Sequence, residues 1–69
     1  MLYIEKFSER FKELRTKKGY SQEKLGKAVG FTQAAIANIE SGERGVSVDK
    51  LIELAQFFNV SLEYLLGLN

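Results

Sequence analysis

The chain of 69 residues is expected to fold as a small all-α domain, a compact bundle of five helices. Three observations carry that expectation. Apolar residues recur at helical spacing and not in alternation. A Ser or Thr stands immediately before the later apolar runs, where a helix needs a side-chain acceptor for its first free N–H groups. Gly or Asn follows the runs, and the chain contains no Pro to break them.

Taken in order, Phe7, Phe11 and Leu14 follow an i, i+4, i+7 pattern on a first helix spanning about residues 6–18. Arg15, Lys17 and Lys18 lie near its end, where cations suit the dipole, and Gly19 is the stop. Ser21 caps a second helix of about 22–29 whose inward face reads Leu25, Ala28 and Val29, with Gly30 as terminator. Thr32 caps a third, about 33–41, with Ile36 and Ile39 inward and Gly42 at its end. Ser47 caps a fourth, about 48–58, with Val48, Leu51, Ile52, Ala55 and Phe58 on one stripe and Asn59 as a left-handed terminator. Ser61 caps a fifth, about 62–67. None of these caps has Glu or Gln at the third helical position, so no full capping box forms.

Composition narrows the function. A chain of 69 residues forms one domain, 1–69. With no Cys and no His, zinc sites, disulfides, thiol nucleophiles and Ser-His pairs are unavailable, so no metal, no cofactor and no enzymatic activity are expected. No apolar segment approaches the roughly 20 residues of a membrane span, and no leader peptide is visible, so the expected location is cytoplasmic. The net charge is only +1, but its distribution is uneven. Lys6, Arg10, Lys12, Arg15, Lys17 and Lys18 face only Glu5, Glu9 and Glu13 in the first twenty residues, a gathering of positive charge of the kind that binds phosphate.

The second and third helices are short and meet at a tight corner containing Gly30, which is the helix-turn-helix arrangement. Ser21-Gln22-Glu23-Lys24-Leu25-Gly26, Gly30-Phe31-Thr32-Gln33, Ile36-Ala37-Asn38-Ile39-Glu40-Ser41-Gly42 and Val60-Ser61-Leu62-Glu63-Tyr64-Leu65-Leu66 match, in order and spacing, one family. Over about residues 8–67 the chain resembles the Cro and phage-repressor-type family, also called the XRE family. The resemblance implies a lambda-repressor-like DNA-binding domain acting as a transcriptional regulator of the repressor or Cro kind. It would bind double-stranded DNA as a homodimer on a twofold-symmetric operator, with recognition helix Gln33–Ser41 in the major groove.

With Ile36 and Ile39 inward, the opposite face of the third helix presents Gln33, Ala34, Ala37, Asn38 and Ser41, none of them charged. An amide can hydrogen-bond adenine through N6 and N7, and an Ala methyl can meet a thymine methyl, so Gln33, Ala34, Ala37 and Asn38 are the candidate base contacts and A·T pairs are expected in each half-site. The resemblance gives Gln33 the place of a base-contacting Gln, whereas Ala34 and Ala37 stand where relatives carry longer polar side chains. Part of the specificity is then expected from DNA shape. Gln22, at the first turn of the second helix, is a candidate phosphate contact, as in the family; Ser41, Arg44, Lys17 and Lys18 are further ones. Arg15 and Glu40 have no counter-charge at i±4 on their own helices, and the resemblance implies that they pair with each other in a structural role.

Gly26 falls inside the second helix, where the family usually has Ala in close contact with the recognition helix; Gly26→Ala is expected to be tolerated and Gly26→Leu is not. In the loop before the fourth helix, Gly45 and Val46 replace the basic residue and Pro common in the family, which predicts a more mobile connection. The last segment is rich in apolar residues, and Tyr64, Leu65 and Leu68 are the candidate dimer contact. The alternatives are an antitoxin that also binds a protein partner, and a protein-binding module that has kept the fold without DNA activity.

Overall fold

The computed structural model describes residues 2–68, with side chains from residue 4 onward. It contains five α-helices: α1 Leu2–Lys17, α2 Gln22–Val29, α3 Gln33–Ser41, α4 Val48–Phe58 and α5 Leu62–Leu65. Among the described residues no strand is present, and no helix is long and apolar enough to cross a membrane.

Each expected cap works. Ser21 Oγ accepts from the Lys24 N–H, Thr32 Oγ1 from Ala35, Ser47 Oγ from Lys50 and Ser61 Oγ from Tyr64, each side chain satisfying a donor that its helix cannot. The terminators also behave as expected. Gly30 and Gly42 take left-handed φ values of 81° and 83°, and Asn59, the non-glycine residue found there, takes φ 58°.

The starting point of α1 differs from the expectation. The helix begins at Leu2 and not near residue 6, because no capping side chain or glycine interrupts the residues ahead of Phe7. At the other end of the chain, α5 closes at Leu65, two residues short of the expected boundary, and Gly67 takes φ 76°.

The core is built from Phe7, Phe11 and Leu14 of α1, Leu25 and Val29 of α2, Ile36 and Ile39 of α3, Leu51, Leu54, Ala55 and Phe58 of α4, and Leu65 of α5. Phe11 packs between partners on α1 and α4, with its ring centroid 5.6 Å from Phe7 and 5.9 Å, edge to face, from Phe58. Two expected core assignments are corrected. Ala28 is exposed, and the buried small residue of α2 is Gly26. On α4 the inward stripe is Leu51, Leu54, Ala55 and Phe58, while Val48 and Ile52 are 67% and 42% exposed. This helix is apolar on more than one face, so spacing alone admits two stripes, and only packing against α1 and α5 selects one.

Candidate nucleic-acid interface

Helix α3 is held from behind by Ile36 and Ile39 and turns its other face outward. Gln33, Ala34, Asn38 and Ser41 are exposed and Ala37 is half-buried, so the structure sets the five expected contact residues on one accessible, uncharged surface. Ser41 Oγ donates to the Asn38 carbonyl, 3.1 Å away, which ties that hydroxyl to the end of its own helix.

Behind this face runs a chain of polar contacts. Arg15 reaches from α1 to Glu40 on α3 through two guanidinium nitrogens, Nε and Nη2, the latter at 3.1 Å. Its remaining nitrogen, Nη1, donates to the Tyr20 carbonyl at 2.8 Å. The two side chains are 12% and 4% exposed, so this is a buried, bidentate pair. Gln22 Nε2 donates to Glu40 Oε1 at 3.1 Å, and Gln22 Oε1 accepts from Gln33 Nε2 in a long contact of 3.5 Å. A carboxylate can only accept, so Glu40 fixes which way the Gln22 amide points. The first residues of α2 and α3 are thereby brought side by side.

The other expected contact residues are placed differently. Arg44 is exposed after α3, with its guanidinium carbon 5.3 Å from the Phe31 ring centroid and its Nε donating to the Gly45 carbonyl at 3.4 Å. Lys17 and Lys18 are exposed at the end of α1; Lys17 borders a shallow groove with Glu13, Thr16 and Tyr64, on the α5 side of α1. Tyr64 is half-buried, with Arg10 lying 4.2 Å over its ring and donating to its carbonyl at 2.8 Å. Leu65 cannot serve as a dimer contact, because it is fully buried in the core, whereas Leu68 is 70% exposed. An apolar cluster at the end of a small chain reads equally well as core or as interface, and Leu65 belongs to the core.

One residue of this region escaped the sequence reading. Lys50, on α4, donates from Nζ to the Val29 carbonyl at 2.9 Å and lies 5.0 Å from the Phe31 ring centroid. The available signal was a cation in the first turn of a helix, where the dipole favours an acid.

Gly26 corrects a further expectation. A Cβ there would meet the Phe31 carbonyl oxygen at 2.4 Å and the Phe31 and Thr32 carbonyl carbons at 3.2 and 3.3 Å. The Phe31 N–H donates to the Gly26 carbonyl at 2.8 Å, drawing the turn onto the helix, so even an Ala side chain has no room.

A helix-turn-helix family model matches residues 11–65. The chain is 42% identical over 52 residues to the HTH-type transcriptional regulator YgzD of Bacillus subtilis, covering 75% of this chain and 79% of that protein. It is 36% identical over 58 residues to the HTH-type transcriptional regulator ImmR of Bacillus subtilis, covering 84% of this chain and 46% of that one. An HTH-type transcriptional regulatory protein of Thermococcus kodakarensis is 38% identical over 61 residues, 88% of this chain but only 19% of the relative, so this chain spans a small part of some relatives and most of others. Among solved structures, the restriction-modification controller protein C.AhdI from Aeromonas hydrophila superposes with a TM-score of 0.78 at 35% identity, covering 90% of this chain and 94% of that one.

Proposed function

The chain belongs to the helix-turn-helix family of the Cro and phage-repressor (XRE) type, and from that premise we propose that it binds double-stranded DNA sequence-specifically as a cytoplasmic transcriptional regulator. The observation that carries this reading is the exposed, uncharged face of α3, which begins at Gln33 beside Gln22. Glu40 turns the Gln22 amide so that its oxygen accepts one proton of the Gln33 amide. That leaves Gln33 with one N–H and its Oε1, the pair needed for N7 and N6–H of adenine in the major groove. Asn38, one turn along, supplies a second amide, and Ala34 and Ala37 supply methyl groups for thymine. Gln22, Arg44, Lys17 and Lys18 are the phosphate contacts in this reading, and Ser41 joins them by turning its one hydroxyl proton from the Asn38 carbonyl to the phosphate.

A helix-turn-helix reads a twofold-symmetric operator as a dimer whose recognition helices lie about 34 Å apart, one turn of the duplex. The second copy would meet the exposed apolar residues Val48 and Ile52 of α4, Leu68 after α5, and the edge of Tyr64.

Gln33→Ala tests the reading. Its affinity should fall only for sites carrying adenine at the contacted position, by about 1–3 kcal/mol or roughly 5- to 150-fold, and its salt dependence should stay unchanged because no phosphate contact is lost. A loss spread evenly over all sequences would place Gln33 on the backbone instead.

A further inference from the structure

Lys50 breaks a local rule. It is the third residue of α4, in the turn where a helix dipole repels cations, and its own N–H is already held by Ser47 Oγ at 3.2 Å. The compensation lies in another helix. Its ammonium donates to the carbonyl of Val29, the last residue of α2 and therefore an acceptor left without an intrahelical partner. The same group donates to Glu53 at 3.2 Å and faces the ring of Phe31, which Arg44 also approaches. With 22% of the side chain exposed and its donors directed at a carbonyl, a carboxylate and a ring, Lys50 is committed to the protein and not to a phosphate.

The residues it grips form the corner of the helix-turn-helix. Val29 ends α2, Gly30 and Phe31 make the turn, and Thr32 caps α3. The covalent link from α3 to α4, residues 42–47, contains Gly45 and no Pro; Val46 packs it against the core, and Lys50 adds a polar tie across the same junction. We propose that Lys50 is a positioning residue for DNA reading: it locks the α2–α3 corner against α4 and so fixes the direction in which α3 leaves the platform formed by α4 and α5. The proposal rests on the DNA-binding reading above. In a dimer joined through α4 and the end of the chain, that direction sets the separation and rotation of the two recognition helices, and hence the spacing between half-sites.

The test compares the wild-type protein with Lys50→Met, which keeps the length and loses the charge and the donor, and with Lys50→Gln as a milder form of the same break. Residual dipolar couplings on the free protein give the orientation of α3 relative to α4. Affinity is measured for duplexes carrying two half-sites at the preferred spacing and at one base pair more or less, which rotates one half-site by about 35° against the other. Both variants should show an altered or broadened α3–α4 orientation and a spacing preference reduced several-fold, with the preferred half-site sequence and the salt slope unchanged. Lys50→Arg, which retains a charged donor, should keep the wild-type preference. An unchanged orientation and spacing preference overturns the proposal, as does a salt slope lowered by about one, which would make Lys50 a phosphate contact. Failure of the wild-type protein to select paired half-sites would count against the DNA reading instead, and the dipolar couplings alone would then decide whether Lys50 holds the corner.

Discussion

Arg15 and Glu40 tie three parts of the chain together at one point: the end of α1, the Tyr20 link that leads into α2, and the end of α3. Their net contribution is small if it is counted against an apolar pair of the same size, since two charges must be desolvated to form it. Removing one partner is another matter, because the survivor stays buried without compensation. Arg15→Ala should cost about 3–5 kcal/mol, which for a domain of this size lowers Tm by well over 10 °C. A calorimetric loss below about 1 kcal/mol would show that the pair behaves as a surface contact. Glu40→Ala should do more than destabilise, because Gln22 would lose the acceptor that orients its amide toward Gln33. The need of both charges for a distant partner could be read from their lack of neighbours at i±4, but the bond from Gln22 to Glu40 could not. It joins residues of separate helices, and only the packing of α2 on α3 brings them together.

At the scale of the elements, the local chemistry was legible wherever a single side chain decides it. Ser21, Thr32, Ser47 and Ser61 each bond the N–H three residues on, and Gly30, Gly42 and Asn59 each turn left-handed, because these effects act within one turn of helix. What depends on how elements meet was less legible. Leu54 and not Ile52 enters the core, and Gly26 is dictated by a carbonyl of the following turn and not by helix propensity. That last point gives a measurable consequence. Gly26→Ala would recover about 1 kcal/mol of propensity but force the turn away from α2, an overpacking cost of typically about 1–3 kcal/mol. A net fall in Tm of several degrees is expected by differential scanning calorimetry, with weaker DNA binding because the displaced turn carries the cap of α3. An unchanged or higher Tm would mean that the turn yields at no cost.

For the molecule as a whole, a net charge of +1 limits how much of the binding can be non-specific attraction to phosphate. In the proposed reading, specificity then comes from the α3 face and from the geometry of a dimer that presents two copies of it. The fold, and the exposed uncharged face of α3 on which the proposed DNA contacts lie, could be read from the sequence through the corner at Gly30 and the positions Gln33, Ala34, Ala37 and Asn38. The residues left exposed for the proposed second copy could not, because Leu65 and Leu68 look alike in a short apolar segment and only the finished core separates them. Selection from a randomised duplex library at two salt concentrations, followed by sequencing of the bound fraction, tests the central claim most directly. The expected result is a twofold-symmetric motif with A·T pairs in its half-sites, centred about one helical turn apart, and an affinity that falls with rising salt. Weak binding at low salt with no enriched motif would contradict it, and would point to a protein partner for the α3 face.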